Sequence, residues 1–462
     1  MKVDATYVTR FIRSASFISM IGTFLRIGGG IITLPLALRV IPSEQMGLYY
    51  TFLAITGIAF LLDFGFAPAI GRNAAYAVGG ARKFETKGLP QLSEDAGANW
   101  ELLGQLKHAA QRWYWAVAAI LAILLFTAGS WFIAGKLQES ALPENLIFCW
   151  VLFALTTTYN LATLYWNNLL VGIGSVRKSA RISLISQCVQ LAITIAGLLL
   201  GYGIWTYAVV GIVGTVISWM LTKKAFYEDA TVPAITPRPE EMSAVFACLW
   251  PMAWRQGVVM IGAFLIQKGN TIVCSSRLGL DETATYGLSL MLLSMLLQIT
   301  GIPLALKWPL IGQLRVQRDI LRIRRIFFPY LYGGLAVALI GILIGPFALR
   351  PILDYMGAKT TILPNGLFIL FGIIYLLEQQ HSSYAMLVLS ENRNPFIIPA
   401  ITSGIVILIT SWWAAGIWGI IGLILSQGII QLLWNNWWTI WVAMAGIRKT
   451  AEIPHSGVQI ES

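Results

Sequence analysis

Long apolar stretches recur along the whole chain, and each is long enough to cross a lipid bilayer as one helix. A bilayer core needs roughly 20 apolar residues in helical form. Only Tyr202 and Gly203 separate the fifth stretch from the sixth. The twelve stretches are 14–40, 48–70, 114–134, 146–171, 182–201, 204–222, 246–273, 284–308, 327–349, 361–388, 396–416 and 419–445. The pattern therefore predicts an all-α polytopic membrane protein with about twelve transmembrane helices.

The composition agrees with a membrane protein and excludes several other classes. Hydrophobic residues make up 57% of the 462 residues, charged residues 11%, and mean hydropathy is +0.71. A soluble domain carries about 25% charged residues. The net charge is +11, but no segment of the sequence is typical of a nucleic-acid-binding module. We therefore expect no nucleic-acid partner. The four cysteines form no CxxC motif, and we expect no disulfide framework, metal site or cofactor.

The distribution of basic residues predicts the orientation of the chain. With the N-terminus inside the cell, the internal segments carry 24 Lys and Arg residues and the external segments carry 5. Cytoplasmic loops of membrane proteins are enriched in these residues. Both termini are therefore predicted to be cytoplasmic, and the first apolar stretch is too long for a cleaved signal peptide.

Two similar halves are expected, joined by a cytoplasmic linker. We expect a six-helix bundle over 1–224, a linker over 225–245, a second bundle over 246–446 and a cytoplasmic tail over 447–462. The segments Arg39–Glu44 and Asp63–Arg72 have counterparts in 277–282 and 298–307, at corresponding places in the second half. Such matches indicate two parallel repeats of the kind found in secondary transporters.

The longest soluble segment, 71–113, contains an apolar pattern of its own. Trp100, Leu103, Leu106, Ala110 and Trp113 recur at helical spacing. This spacing predicts an amphipathic helix lying on the inner membrane surface.

Charged residues within the spans are the first candidates for function, because each costs about 2.5–3.5 kcal/mol at a helix centre. Arg26 lies near the middle of the first span, and Gly28–Gly30 and Pro35 make that span easy to bend. A central cation on such a helix is typical of an anion carrier. The alternative is a structural ion pair between Arg26 and Asp63 of the second span.

Further candidates lie in the seventh and tenth spans. Arg255 and Lys268 share the seventh span, where Arg255 is expected to face the interior, and Lys268 either does so or extends to the outer surface. The tenth span carries six consecutive polar residues that include Glu378 and His381. A carboxylate and an imidazole at this spacing suit ion coupling. The alternative is a hydrogen-bonded seam between helices.

Three further charged residues complete the set of candidates. Arg72 and Lys307 lie at matching internal ends of the second and eighth spans, where they either guide phosphate groups into the protein or anchor it to the membrane. Asp63 is either a coupling carboxylate or the partner of Arg26.

The sequence around the first two spans resembles polysaccharide-unit flippases. The resemblance rests on Leu34–Leu36, Gly47–Tyr49 and above all 62–77, which reads LDFGFAPAIGRNAAYA. These flippases belong to the superfamily of the multidrug MATE exporters and the lipid II flippase. The resemblance implies a V-shaped pair of six-helix bundles with a cationic central cavity. The two additional helices of lipid II flippases are absent from the pattern.

The resemblance also implies a substrate and its surroundings. The substrate would be an undecaprenyl-pyrophosphate-linked oligosaccharide, moved across the bacterial inner membrane by alternating access with energy from an ion gradient. The expected partners are this substrate, membrane lipids and a polysaccharide polymerase with other assembly proteins. On this interpretation Arg26, Arg255 and Lys268 contact the pyrophosphate.

Two alternative functions remain open on the sequence alone. A MATE-type drug exporter would favour acidic and aromatic residues in its cavity, whereas the central charges here are mostly basic. The other alternative is a membrane enzyme, such as a polysaccharide polymerase or acyltransferase. A polymerase should carry a large external loop with catalytic Arg residues, and all predicted external loops are short. We therefore expect a transporter rather than an enzyme.

Overall fold

The computed structural model describes residues 15–85, 97–233, 237–317, 319–391 and 395–452. These residues are overwhelmingly helical, and they group into two compact units whose division falls inside one long helix, between Phe264 and Leu265. Unit 1 holds the chain up to Phe264 with two short later segments, 279–281 and 356–359. Unit 2 holds the remainder.

The helices of unit 1 follow one another with short connections. They are α1 (Ala15–Val40), α2 (Ser43–Thr56), α3 (Ile58–Leu62), α4 (Phe66–Val78), α5 (Trp100–Leu124), a π-helical segment (Leu125–Gly129), α6 (Ser130–Glu139), α7 (Leu146–Thr163), α8 (Tyr165–Gly172), α9 (Val176–Leu199), α10 (Trp205–Asp229) and the first part of α11 (Pro239–Arg277).

Unit 2 contains the rest of α11 and the helices that follow. These are α12 (Leu280–Ala305, of which 282 onward belongs to this unit), α13 (Trp308–Val316), α14 (Ile320–Tyr355), α15 (Asn365–Leu389), α16 (Ile397–Trp418), α17 (Ile420–Ile430), a second π-helical segment (Gln431–Asn436) and α18 (Trp437–Glu452).

The prediction of an all-helical polytopic membrane chain is confirmed. Each of the twelve predicted apolar stretches overlaps a helix, and the close pair at 182–201 and 204–222 forms two separate helices, α9 and α10. Within the described residues, nine helical segments are long and apolar enough to cross a membrane. Helix α15 is also 25 residues long, but its middle carries the polar run that includes Glu378.

The apolar pattern within 71–113 has a different meaning from the one predicted. Helix α5 begins at Trp100 and continues directly into the third span, and Leu103, Leu106 and Ala110 are buried inside the protein. Trp113 stacks on Phe66 with ring centroids 4.2 Å apart. The prediction of a separate helix on the membrane surface is therefore wrong for this part, because helical spacing identifies an apolar face but not what covers it.

The linker between the halves is shorter than predicted. Helix α10 continues to Asp229, and α11 already begins at Pro239, a residue well suited to a helix start. The Nζ atom of Lys178 lies 3.2 Å from a carboxylate oxygen of Glu228 and 2.6 Å from one of Asp229. These ion pairs join the start of α9 to the end of α10.

Helices α4 and α8 pack so closely that a side chain would not fit between them. A Cβ atom added at Gly172 would lie 2.4 Å from the carbonyl oxygen of Gly71 and 2.6 Å from the Cβ atom of Ala74. Small residues allow such close approach of helix backbones in membranes, where van der Waals packing replaces the hydrophobic effect as a driving force.

This contact predicts a selective effect of adding one methyl group. Gly172→Ala should lower the melting temperature of the detergent-solubilised protein, since the new Cβ atom must push α4 away from α8. Gly135→Ala is the matched control, because Gly135 is also helical and a Cβ atom there has no neighbour within 4 Å. The control should be neutral or stabilising by up to about 1 kcal/mol. Equal melting temperatures for the two variants would contradict the close packing.

Candidate functional site

Asp63 is a buried carboxylate in unit 1, and neighbouring groups donate hydrogen bonds to its oxygen atoms. It lies between α3 and α4 and is 6% exposed. The hydroxyl of Tyr114, on α5, donates a hydrogen bond to Oδ1 of Asp63, and the backbone N–H groups of Gly65 and Ala67 also donate to this carboxylate. A buried polar group is stable only with such partners. Asp63 therefore holds α3, α4 and α5 together.

Lys268 and Glu378 line the same cavity inside unit 2. Lys268 comes from α11 and Glu378 from α15, and the cavity has a volume of about 250 Å³. Most of the other lining side chains are amides and hydroxyls, and they are Gln267, Ser294, Gln298, Tyr375, Gln379, Ser382 and Gln427, with Ile266, Leu290 and Leu297 as the apolar members. We call this space the unit 2 cavity. It offers one cation and one carboxylate to whatever occupies it.

His381 does not line the unit 2 cavity, although it follows Glu378 by three residues. Its Nδ1 atom lies 3.2 Å from the carbonyl oxygen of Asn435 and 3.0 Å from Oγ1 of Thr439. His381 thus belongs to a hydrogen-bonded contact between α15 and the last helix. Glu378 and His381 still interact electrostatically along α15, and the hydrogen-bond contacts of His381 match the interhelical seam that was its alternative.

A ladder of buried polar residues runs along the end of unit 2, from α17 through the second π-helical segment into α18. Gln427, Gln431, Asn435 and Thr439 recur every four residues, and all are at most 4% exposed. Nδ2 of Asn270 donates to Oε1 of Gln427 at 3.0 Å. Gln431 forms a side-chain hydrogen bond with Glu378, and within the described residues the Oδ1 atoms of Asn435 and Asn436 are buried without a protein partner. Such atoms are usually satisfied by internal water, and here they lie in a π-helical segment, a feature frequent at functional sites.

Arg72 and Lys307 are not among the residues that line the unit 2 cavity. Arg72 is exposed on α4, and Lys307 precedes α13, with its Nζ atom 5.2 Å from the centroid of the Tyr330 ring. Arg26 and Arg255 lie on α1 and α11, but their side chains are outside the described part of the structure. Their roles, including a pair between Arg26 and Asp63, stay predictions.

A larger cavity lies inside unit 1, and charge-based reasoning did not find it. Its volume is about 730 Å³, and none of the described residues that line it is charged. We call this space the unit 1 cavity. Its polar lining consists of Thr156, Asn160, Thr163, Asn167, Ser179, Ser183, Ser186, Gln187, Gln190, Thr215, Ser218 and Thr222. Trp166 and Trp219 also line it, and Nζ of Lys223 lies 5.8 and 5.3 Å from their ring centroids.

The sequence does carry a signal for this cavity. On α9, Ser179, Ser183, Ser186 and Gln190 are spaced four, three and four residues apart, which places them on one helix face. Thr215, Ser218 and Thr222 follow the same kind of spacing on α10. A stripe of neutral polar residues within an apolar span therefore indicates a protein-facing or wet surface, even where no charge marks it.

Comparison with known proteins identifies the fold but no close relative. Neither a family model nor a curated protein matches the sequence. Among solved structures, an inward-facing multidrug resistance MATE transporter of the MOP superfamily is 12% identical, with a TM-score of 0.59 over 95% of this chain and 99% of that chain. The MATE multidrug transporter DinF-BH is 14% identical, with a TM-score of 0.59 over 96% of this chain and 97% of that chain.

A flippase is similar to the same degree. The lipid II flippase MurJ, in an inward closed conformation, is 14% identical, with a TM-score of 0.59 over 94% of this chain and 87% of that chain. At these identities the likeness establishes the fold, which this chain shares with both MATE transporters and the flippase. The predicted fold class is thus confirmed by the helices themselves and by these comparisons.

The bond between Tyr114 and Asp63 predicts a measurable coupling in stability. Tyr114→Phe should destabilise the protein by about 1–3 kcal/mol, since it leaves a buried acceptor without its side-chain donor. Tyr202→Phe is the control, because Tyr202 is 62% exposed. In an Asp63→Leu background, Tyr114→Phe should have a much smaller effect. Additive effects of the two changes would contradict the bond.

Proposed function

We propose that this protein is a secondary transporter that flips an undecaprenyl-pyrophosphate-linked oligosaccharide from the inner to the outer leaflet of the bacterial cytoplasmic membrane. The exported unit would supply the synthesis of a surface polysaccharide, so that a membrane polymerase acts on it next. In this proposal both termini are cytoplasmic, as the distribution of Lys and Arg indicates.

The observation that carries the proposal is the charge of the two cavities. The described lining of the unit 1 cavity is neutral, and in the unit 2 cavity Lys268 accompanies Glu378. A site for a cationic drug needs a carboxylate that is not already compensated. The buried Asp63 does not supply one, since Tyr114 and two backbone N–H groups already donate to it. The unit 1 cavity therefore favours a neutral polar ligand, and the unit 2 cavity places a cation as well as a carboxylate in its described lining.

Export of cationic drugs is the competing function, because the fold supports it equally. The chain is as similar to the MATE multidrug transporter DinF-BH as it is to the lipid II flippase. The charge of the cavities favours the flippase, and the basic residues of the spans point the same way.

Basic residues on the transport route would act on the pyrophosphate. A diphosphate in a low-dielectric environment needs a counter-charge, and a guanidinium offers paired donors that match phosphate oxygens. We assign this role to Arg26 and Arg255, with Lys268 as a third contact. Arg72 and Lys307 would attract the head group at the cytoplasmic entrance.

Energy would come from an ion gradient, with Glu378 as the coupling group. The sequence contains no nucleotide-binding loop in a suitable context, and Glu378 lines a cavity surrounded by amides and hydroxyls. Carboxylates within membrane spans commonly serve as proton or cation sites. His381, hydrogen-bonded to Asn435 and Thr439, would stabilise the helix contact beside this site rather than bind the ion.

The role of Arg26 predicts the effect of three variants. Arg26→Ala should nearly abolish surface polymer while the protein remains in the membrane, since the diphosphate loses its counter-charge. Arg26→Lys should restore export only in part, because Lys keeps the charge but lacks the paired donors. The measurement is surface polymer normalised to protein level in a strain that lacks the chromosomal gene. The third variant, Arg26→Ala with Asp63→Ala, separates this role from a structural one.

The ion-pair alternative predicts a different result for the same residue. If Arg26 serves only to pair with Asp63, Arg26→Ala should lower protein abundance, and adding Asp63→Ala should restore function. Full export by a well-expressed Arg26→Ala protein would refute the contact with the pyrophosphate. Resistance to a cationic dye, lost with Arg26→Ala while surface polymer is unchanged, would favour the drug exporter instead.

The coupling role of Glu378 predicts a change in ion dependence. Glu378→Gln keeps the size and much of the hydrogen bonding of the side chain but cannot change charge. Transport into vesicles should then no longer respond to an imposed proton or sodium gradient. An unchanged response to both gradients in a variant of normal abundance would exclude Glu378 as the coupling group.

A further inference from the structure

The unit 1 cavity has a chemistry that is unusual for the interior of a membrane protein. It is surrounded by helices α7 to α10, with Gly22 of α1 as a further contact. Most of this lining lies in predicted spans, and Val176, Ser179 and Ala180 lie just before the fifth span. Its volume of about 730 Å³ lies within the range of about 300–1,000 Å³ that is typical of small-molecule sites. A space of this size and polarity within a membrane domain requires an occupant that can form hydrogen bonds.

Part of the polar lining is fixed in place by the protein. Ser186 is 4% exposed and donates to the carbonyl oxygen of Gly214 at 3.2 Å, and Nε2 of Gln190 donates to the hydroxyl of Ser186 at 3.0 Å. A Cβ atom at position 214 would lie 2.5 Å from the Gln190 amide, so Gly214 provides the room for it. These contacts hold α9 against α10 and position the polar wall.

Another part of the lining has no partner in the protein. Within the described residues, Oγ1 of Thr156 and Oε1 of Gln187 are buried without a hydrogen-bond partner. Asn160, one turn after Thr156, is exposed within a predicted span, and both residues line the cavity. Leaving such groups unsatisfied costs about 1–3 kcal/mol each. Donors and acceptors from outside the protein must therefore complete this wall.

The neutral lining narrows the class of ligand. A cation would be desolvated here without a carboxylate among the described lining residues, which is strongly unfavourable, and the one cation placed beside the lining, Lys223, already lies over the Trp166 and Trp219 rings. An apolar molecule would leave the amides and hydroxyls unpaired. An uncharged molecule with many hydroxyl groups can both donate to and accept from this lining. Trp219 adds apolar ring surface beside these polar groups, which suits the C–H faces of sugar rings, whereas Trp166 is buried against Phe226 and Tyr227.

We propose that the unit 1 cavity binds the uncharged sugar rings of the oligosaccharide. This inference rests on the proposed flippase function and assigns the sugar part of the substrate to α7, α9 and α10. Hydroxyl groups of the sugar pair with Thr156, Asn160 and Gln187, and the fixed Ser186–Gln190 wall sets the shape of the space. The basic residues of the spans act on the pyrophosphate, so the two parts of the head group have separate sites.

The test uses side chains whose loss does little harm to the fold. Thr156→Val combined with Asn160→Leu removes two polar groups for which the structure shows no side-chain partner in the protein. The control combines Thr402→Val with Asn145→Leu, which makes the same chemical changes at exposed positions outside the cavity. Both proteins are purified into nanodiscs with the wild type, and equal melting temperatures establish equal folding.

Binding is measured with two probes by the change in tryptophan fluorescence. One probe is the lipid-linked oligosaccharide extracted from the cells that produce the protein, and the other is undecaprenyl pyrophosphate without sugar. The wild type and the control should bind the sugar-bearing lipid more tightly than the bare lipid. The cavity variant should bind the sugar-bearing lipid about tenfold more weakly, as expected for two lost hydrogen bonds, and the bare lipid unchanged.

Four other outcomes would overturn the inference, and they differ in what else they exclude. If the wild type prefers the sugar-bearing lipid and the cavity variant binds it equally well, the sugar site lies elsewhere and the flippase function stands. If the variant loses affinity for both lipids equally, the cavity does not recognise sugar. If the wild type binds both lipids alike, the sugar contributes nothing to binding and the sugar site fails while the pyrophosphate contact stands. If the wild type binds neither lipid, the proposed function fails together with the sugar site.

Discussion

A lipid bilayer offers no hydrogen bonds, and every polar group within the spans of this protein must therefore find a partner in the protein or in trapped water. This constraint orders the interior of both units. It accounts for the buried bond between Tyr114 and Asp63, for the contact of His381 with the last helix, and for the positions of the two cavities. Lipid-facing positions are less constrained than these polar positions, because any of several large apolar side chains can face lipid.

The two units satisfy their buried polar groups in different ways, and this difference is consistent with different functions for the two units. Unit 1 gathers neutral hydroxyls and amides around a large cavity and keeps its buried carboxylate fully paired. Unit 2 sets one cation and one carboxylate in a smaller cavity beside a ladder of buried amides. In our proposal the first arrangement recognises uncharged sugar, and the second responds to an ion gradient. Placing sugar binding and ion coupling in different units would keep a coupling ion away from the surface that binds the sugar.

The fold could be predicted well from sequence because its main determinant is the length and spacing of apolar stretches. The site could be predicted only in part. Lys268 and Glu378 were identified because a charge within a span is conspicuous, but their shared cavity joins helices about 110 residues apart in the chain. The partner of Asp63 could not be predicted, since Tyr114 lies 51 residues away with no local signal. Helical periodicity also could not distinguish a face buried in protein from one resting on lipid, as Leu103 and Leu106 illustrate.

Movement of the lipid-linked sugar by the purified protein would test the central claim most directly. The protein is reconstituted into liposomes whose two leaflets contain lipid-linked oligosaccharide, and an added glycosidase reports the fraction of sugar that faces outward. Our account predicts that nearly all of the sugar becomes accessible in vesicles that contain the protein, whereas about half remains protected in protein-free vesicles. If the protected fraction is the same with and without the protein, while the same vesicles accumulate a cationic dye, the protein is a drug transporter and not a flippase.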